Sequence, residues 1–242
     1  MELIDFIGRV AEGLPVIDAQ DMGGRVSPRT GNPYLPGVKT MTEVVFVKEF
    51  SNWWQSTYPH ELNAPYGAKV GLEVAYPNIS RANCDIIFST DQMPINDPEW
   101  AIEIKHISLA GDNGKNNDFN VPKMLSPYLK DRSLLHDINR LKADPIGRKQ
   151  AVVGYCFDYS FDSCDEALQR HPDKPDFIEN LRKVCRSVDK VDGIYSVIPL
   201  VEFANEIYAK DGLVGPLFKV PFQGTWKHPI GGSGWIFGWE VL

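Results

Sequence analysis

The stretch WAIEIKHI, residues 100–107, places an acid and a base within an otherwise apolar strand. Side chains alternate along a strand, so Glu103 and Lys105 share one face while Ile102 and Ile104 point to the other. A charged group that loses its water costs free energy unless it is paired or binds something. The stretch therefore predicts a strand on which two charged groups share one face and are partly desolvated.

A second extended stretch, CDIIF at residues 84–88, precedes this strand. The polar residues 89–99 between the two strands predict a hairpin loop. If that loop is symmetric about Pro94, antiparallel pairing makes opposing residue numbers sum to about 188. Asp85 then lies opposite Glu103, with their Cβ atoms roughly 4.5–5.5 Å apart.

Two carboxylates and the ammonium of Lys105 would then converge on one patch of the sheet. Like charges placed opposite each other destabilise a sheet unless a cation lies between them. Mg²⁺ binds in such arrangements through one or two carboxylates, waters and substrate phosphate.

The elements around the hairpin follow the order helix, three strands, helix, strand. Thr40 to Glu43 fits a capping box that begins a helix ending near Tyr58. The other elements are a strand over 69–76, a helix over 133–142 and a buried strand over 151–157. In the helix over 133–142 the leucines and Ile138 follow a helical period, and we expect Asp137 and Arg140 on its surface. This order predicts an α/β fold with a mixed sheet flanked by helices.

The remainder of the chain carries weaker signals. We expect, in order, a short amphipathic helix at 1–10, a loop or arm at 19–38, a surface loop at 111–120, a helix at 176–186, an extended segment at 195–203 and a closing hairpin over 218–242 with a turn at 231–234.

Asp85, a gap of seventeen residues and then Glu103-Ile104-Lys105 resemble the signature of the PD-(D/E)XK, or restriction-endonuclease-like, nucleases. The resemblance covers roughly residues 40–157. It implies a restriction-endonuclease-like mixed sheet with an added C-terminal β-hairpin region, and Mg²⁺-dependent hydrolysis of DNA as in type II restriction enzymes. It further implies that Asp85, Glu103 and the Ile104 backbone carbonyl hold Mg²⁺ or Mn²⁺, and that Lys105 positions or activates the attacking water.

Many members of this family add an acid from the preceding helix, and Glu43 is the best match. Glu43 is equally explained as the acid of the capping box. Glu73 is a further acid, for which a solvated strand face is the better interpretation. His106 is expected on the opposite face of its strand, in the packed layer.

A basic stretch follows the candidate site. Residues 121–150 contain seven Lys and Arg against three Asp, a local charge of +4. Such donors would position a phosphodiester backbone, although an ordinary solvated helix face explains them equally well. The candidate DNA contacts are Lys123, Lys130, Arg132 and Arg140, with Arg25 and Arg29 in the arm.

Three other interpretations stay open. The first is a surface strand in which the motif residues form only an Asp85–Lys105 or Glu103–Lys105 ion pair. The second is a catalytically silent nuclease-fold module that binds DNA or protein. The third is an interaction protein whose Trp-rich tail docks a partner.

Composition narrows the classes of protein. The 242 residues carry 32 Asp and Glu against 25 Lys and Arg, a net charge of −7, which excludes a diffuse polycation as the means of binding nucleic acid. The acidic N-terminus does not fit a secretory signal, and no apolar run is long enough for a membrane span. With four widely spaced cysteines, we expect a cytoplasmic protein. We expect residues 1–39 to form a helix and arm, 40–160 the catalytic core, and 161–242 a recognition or assembly region of the same unit, in a homodimer.

Overall fold

The computed structural model describes residues 1–20, 26, 31, 36–62, 69–90, 96–108, 121–126, 133–160, 169, 190–191, 194–228 and 232–242. The predicted loop at 111–120, the predicted helix at 176–186 and most of the predicted arm at 19–38 lie outside these residues.

The described helices are α1 (Leu3–Ala19), α2 (Glu43–Thr57), α3 (Val121–Leu125), α4 (Leu134–Ala143) and α5 (Ile198–Lys210), with a 3-10 turn at Val38–Thr40. The described strands are β1 (Val70–Ala75), β2 (Asn83–Phe88), β3 (Trp100–Ile107), β4 (Lys149–Phe157), β5 (Tyr159–Ser160), β6 (Lys190–Val191), β7 (Ile194–Tyr195), β8 (Phe218–Thr225) and β9 (Gly232–Glu240). None of these helices is both long and apolar enough to cross a membrane.

Six of the strands form one mixed sheet in the order β1-β2-β3-β4-β9-β8. β3 and β4 run parallel, and the other neighbouring pairs are antiparallel. The short strands β5, β7 and β6 form a separate three-stranded sheet. The chain is therefore an α/β protein in which β3, the strand with the charged pair, is near the middle of an open sheet.

Both faces of the large sheet are covered, which explains why β3 and β4 are apolar along most of their length. One face packs against α1 and α2 through a cluster of aromatic side chains that includes Phe6, Phe50, Trp54 and Phe88. The other face packs against α4 and α5 through Ile138, Leu141, Val201 and Tyr208. A charged side chain on β3 consequently meets a helix layer rather than open solvent.

The predicted register of the β2–β3 hairpin is confirmed. Ile86 pairs with Ile102 and Phe88 with Trp100, which is the register expected from a loop centred on Pro94. The regular pairing ends at Ile86, and the next residue, Asp85, contributes its side chain instead. Its Oδ2 accepts a hydrogen bond from the backbone N–H of Ile104 at 2.6 Å.

The four predicted core strands, the N-terminal helix and the C-terminal hairpin are present, but the predicted capping box is wrong. Thr42 is the N-cap of α2 and accepts the Val45 N–H at 3.4 Å, while Thr40 belongs to the 3-10 turn. Glu43 is thus the first residue of the helix and does not cap it.

Three further expectations are corrected. Residues 195–203 are not extended throughout, because α5 begins at Ile198 with Pro199 in its first turn, where a missing N–H costs no helical hydrogen bond. Gly232 to Gly234 begin β9 and do not form a turn. Asp137 and Arg140 are buried, with exposed fractions of 0% and 8%, rather than lying on the surface of α4.

Candidate functional site

The candidate site lies on the face of β3 that packs against α4. Glu103 and Lys105 have exposed fractions of 1% and 4%, whereas Ile102 and Ile104 lie in the apolar core on the opposite face. The alternation predicted from the sequence is therefore present. The interpretation as a surface strand is wrong, because both charged groups are almost fully withdrawn from water.

Asp85 enters the site from the end of the regular β2–β3 pairing. Its hydrogen bond from the Ile104 N–H is the one found for this carboxylate among the described residues. Burial raises the pKa of Asp85 to about 6 despite that bond and the positive charge of Lys105. In an extended strand the N–H and C=O of one residue point to the same side, so the Ile104 carbonyl faces the edge where Asp85 lies.

Glu103 is held by two donors. Its Oε1 accepts from the Tyr76 hydroxyl at 2.5 Å and from Arg140 Nη2 at 2.8 Å. Burial, followed by the charge of Asp85, raises the pKa of Glu103 well above its usual range, and the Arg140 cation only partly opposes this. Burial therefore disfavours the ionised form of both carboxylates, Asp85 and Glu103, and their mutual repulsion adds to this for Glu103.

Lys105 is fixed between two helices. Its Nζ lies 3.1 Å from Asp137 Oδ2 on α4 and 3.4 Å from Glu43 Oε2 on α2. Burial favours the neutral amine, but the carboxylates of Asp137 and Glu43 outweigh it and raise the pKa of Lys105 above its usual value. The predicted pairs of Lys105 with Asp85 or Glu103 are thus replaced by pairs with residues of the neighbouring helices.

Glu43 faces the site from the first turn of α2. Its Oε1 accepts the backbone N–H of His106 at 3.0 Å and lies 3.2 Å from Lys123 Nζ. Burial tends to raise the pKa of Glu43, but Lys105 and Lys123 together lower it below the usual value. Glu43 therefore anchors the end of β3 and one side of Lys105 as a carboxylate.

Asp137 and Arg140, on α4, are site residues that the sequence interpretation placed elsewhere. Arg140 Nη2 lies 2.9 Å from Asp137 Oδ1 as well as close to Glu103, so the two helix residues join both charged residues of β3. A signal was available in the helical spacing. Asp137 falls three residues after Leu134 and four before Leu141, within the buried stripe of α4.

The other candidate residues occupy varied positions. Lys123 pairs with Glu43, and Arg140 is buried in the cluster rather than presented at the surface. His106 stacks on Tyr155 with ring centroids 4.8 Å apart, on the opposite face as expected. Glu73 is exposed. The candidates Arg25, Arg29, Lys130 and Arg132 lie outside the described residues.

The charges of this cluster nearly balance. Four carboxylates face three cations, which leaves one negative charge when all are ionised; the members are Asp85, Glu103, Asp137 and Glu43 with Lys105, Arg140 and Lys123. Within the described ranges, no three His, Cys, Asp or Glu side chains already converge as a group of metal ligands. Asp85 and Glu103 nevertheless fit one hard divalent ion, since Mg²⁺ needs only one or two carboxylates, with waters and substrate phosphate completing its coordination.

Comparisons of the chain with protein-family models, with curated proteins and with solved structures find no match. The function is therefore inferred from the geometry of the cluster itself.

Proposed function

We propose that this protein is a Mg²⁺-dependent endonuclease that hydrolyses phosphodiester bonds of DNA, with a restriction-endonuclease-like fold and an activity of the type II restriction class. One observation carries the proposal: the buried Glu103 carboxylate and the Lys105 ammonium share one face of the central strand β3, and the partly buried Asp85 carboxylate enters the same site from β2. Opposed carboxylates of this kind are costly unless a cation joins them.

Asp85, Glu103 and the Ile104 carbonyl would hold the ion, and Mn²⁺ would serve in place of Mg²⁺. When bound, the ion supplies positive charge that stabilises the phosphate in the transition state and lowers the pKa of bound water. Lys105 is kept as an ammonium by Asp137 and Glu43. Its role is therefore to orient the attacking water and the scissile phosphate by donating hydrogen bonds, not to remove a proton.

DNA is the partner in this proposal, and its backbone needs further cationic groups for positioning. Cleavage of both strands requires two active sites, so we propose a homodimer. A dimer that acts on both strands in one encounter converts supercoiled plasmid directly to the linear form, whereas a monomer accumulates the nicked form first.

A second function is favoured by a specific contact. Arg140 already neutralises Glu103 at 2.8 Å, which is the role a metal ion would otherwise have. A catalytically silent module that binds DNA or protein would keep this internal ion pair and never need the metal. Cleavage, not binding, distinguishes the two functions.

The test is cleavage of supercoiled plasmid in Mg²⁺ and in EDTA. We expect the wild type to cut only with Mg²⁺ and the Asp85→Asn variant to be slower by about 10²–10³-fold, the usual cost of losing a group that stabilises the transition state. Asn keeps the shape of Asp85 and can still accept the Ile104 N–H, so lost folding does not explain the loss. Lys48→Met, at an exposed position of α2, serves as control and should cut at the wild-type rate. If Asp85→Asn cut plasmid at the wild-type rate, the proposed site would be refuted. If the wild-type protein bound DNA but did not cut it, the silent module would be supported.

A further inference from the structure

One buried carboxylate, Asp137, contacts two cations: Lys105 on β3, and Arg140, which pairs with Glu103 on β3. It is fully buried, with an exposed fraction of 0%, in the apolar stripe of α4. Its Oδ2 lies 3.1 Å from Lys105 Nζ and its Oδ1 lies 2.9 Å from Arg140 Nη2. The same Arg140 atom reaches Glu103 Oε1 at 2.8 Å. Asp137 therefore reaches Lys105 through one ion pair, and it reaches Glu103 through two ion pairs that share Arg140.

Stability alone gives a poor reason for this arrangement. Replacing buried ion pairs by packed apolar residues of similar volume is often neutral or stabilising. A hydrophobic residue at position 137 would continue the stripe of Leu134, Ile138 and Leu141. A carboxylate at this position is better explained by what it does to the geometry of its two partners.

A lysine side chain needs contacts from neighbouring groups to hold its ammonium in one position. Its ammonium is a point charge on a flexible four-carbon stem with three donor hydrogens. Glu43 approaches Lys105 from α2 at 3.4 Å and Asp137 approaches from α4 at 3.1 Å. Glu43 accepts a hydrogen bond from Lys105 and Asp137 forms an ion pair with it, so carboxylates on two different helices hold the ammonium from two sides.

We propose that Asp137 is the positioning residue of the site, which fixes the Lys105 ammonium for reaction without touching the substrate. This inference rests on the proposed nuclease function. It differs from a structural role because it predicts a loss in kcat with little change in the KM for DNA or in the Mg²⁺ requirement.

The test compares Asp137→Asn with Asp144→Asn in the full chain. Asp144 is also buried at the end of α4, but its carboxylate binds Asn78, with 2.6 Å to the backbone N–H and 2.8 Å to Nδ2. We expect kcat to fall about 100-fold in Asp137→Asn, the scale typical of a displacement of about 1 Å in an active site. The KM for DNA should stay within about threefold in both variants, and Asp144→Asn should keep its kcat within the same range.

A second measurement needs neither activity nor a variant that folds. In isotope-labelled wild-type protein, the Lys105 ammonium should give a resolved signal that is protected from exchange with water, because carboxylates on two helices enclose it. A freely exchanging Lys105 ammonium, an unchanged kcat in Asp137→Asn, or a change confined to KM would each overturn the inference. Wild-type protein that cuts no DNA would overturn the proposed function instead, so the two failures are distinguishable.

Discussion

Replacing Arg140 with methionine is expected to lower the free energy of unfolding by about 3–5 kcal/mol, the usual cost of breaking a buried ion pair from one side. Arg140 is 8% exposed and pairs with Glu103 at 2.8 Å and with Asp137 at 2.9 Å. Its removal leaves two buried carboxylates without this cation. Methionine fills a similar length of the pocket, so the loss reports charge and not a cavity.

Urea denaturation monitored by circular dichroism measures this difference. Lys210→Met, at an exposed position near the end of α5, is the matched control, and we expect it to lie within about 0.5 kcal/mol of wild type. The free energy of unfolding lost in Arg140→Met should be smaller at low pH, because protonation of Glu103 or Asp137 then removes the buried charge that Arg140 neutralises. A loss below about 1 kcal/mol at neutral pH would mean that Arg140 does not compensate the buried carboxylates.

The second large effect is a gain in stability from Asp85→Asn in the absence of divalent metal. Burial raises the pKa of Asp85 to about 6, whereas an unfolded chain has an Asp pKa near 3.9. Between about pH 4 and pH 6 the folded protein therefore binds more protons than the unfolded chain, and its free energy of unfolding falls as the pH rises. Because the folded pKa exceeds the unfolded one by about two, the stability lost by pH 8 is about 3 kcal/mol.

Asparagine has no charge to desolvate, so Asp85→Asn should remove this pH-dependent loss. We expect the variant to equal wild type near pH 4 and to exceed it by up to about 3 kcal/mol at pH 8, as measured by urea denaturation in EDTA. Asp97→Asn, at an exposed position of the loop after β2, is the control. If wild type and Asp85→Asn lost stability in parallel from pH 4 to pH 8, Asp85 would not be strained by burial.

Much of β3 and its hairpin with β2 could be predicted from the sequence. The alternation of WAIEIKHI and the loop centred on Pro94 are local patterns, and they give both the burial of Glu103 and Lys105 and the register toward Asp85. The partners of these residues could not be predicted in the same way, because they come from helices whose rotation is set by tertiary packing.

Two residues illustrate the difference. Asp137 lies within an apolar stripe, which is a signal of a buried charge, but the rule that polar helix residues face solvent favoured the opposite interpretation. From the sequence alone Glu43 fits a helix cap equally well. Only the observed start of α2 after Thr42 leaves its carboxylate for Lys105 and Lys123. The insertion of β9 between β4 and β8 is a long-range pairing without a local signature.

The most direct test of the central claim is anomalous diffraction from crystals of the wild-type protein equilibrated with Mn²⁺. We predict an anomalous peak bound by the Asp85 and Glu103 carboxylates and the Ile104 carbonyl, with Arg140 withdrawn from Glu103. Crystals saturated with Mn²⁺ that show no peak at these residues, with Arg140 still paired to Glu103, would contradict the proposed metal site.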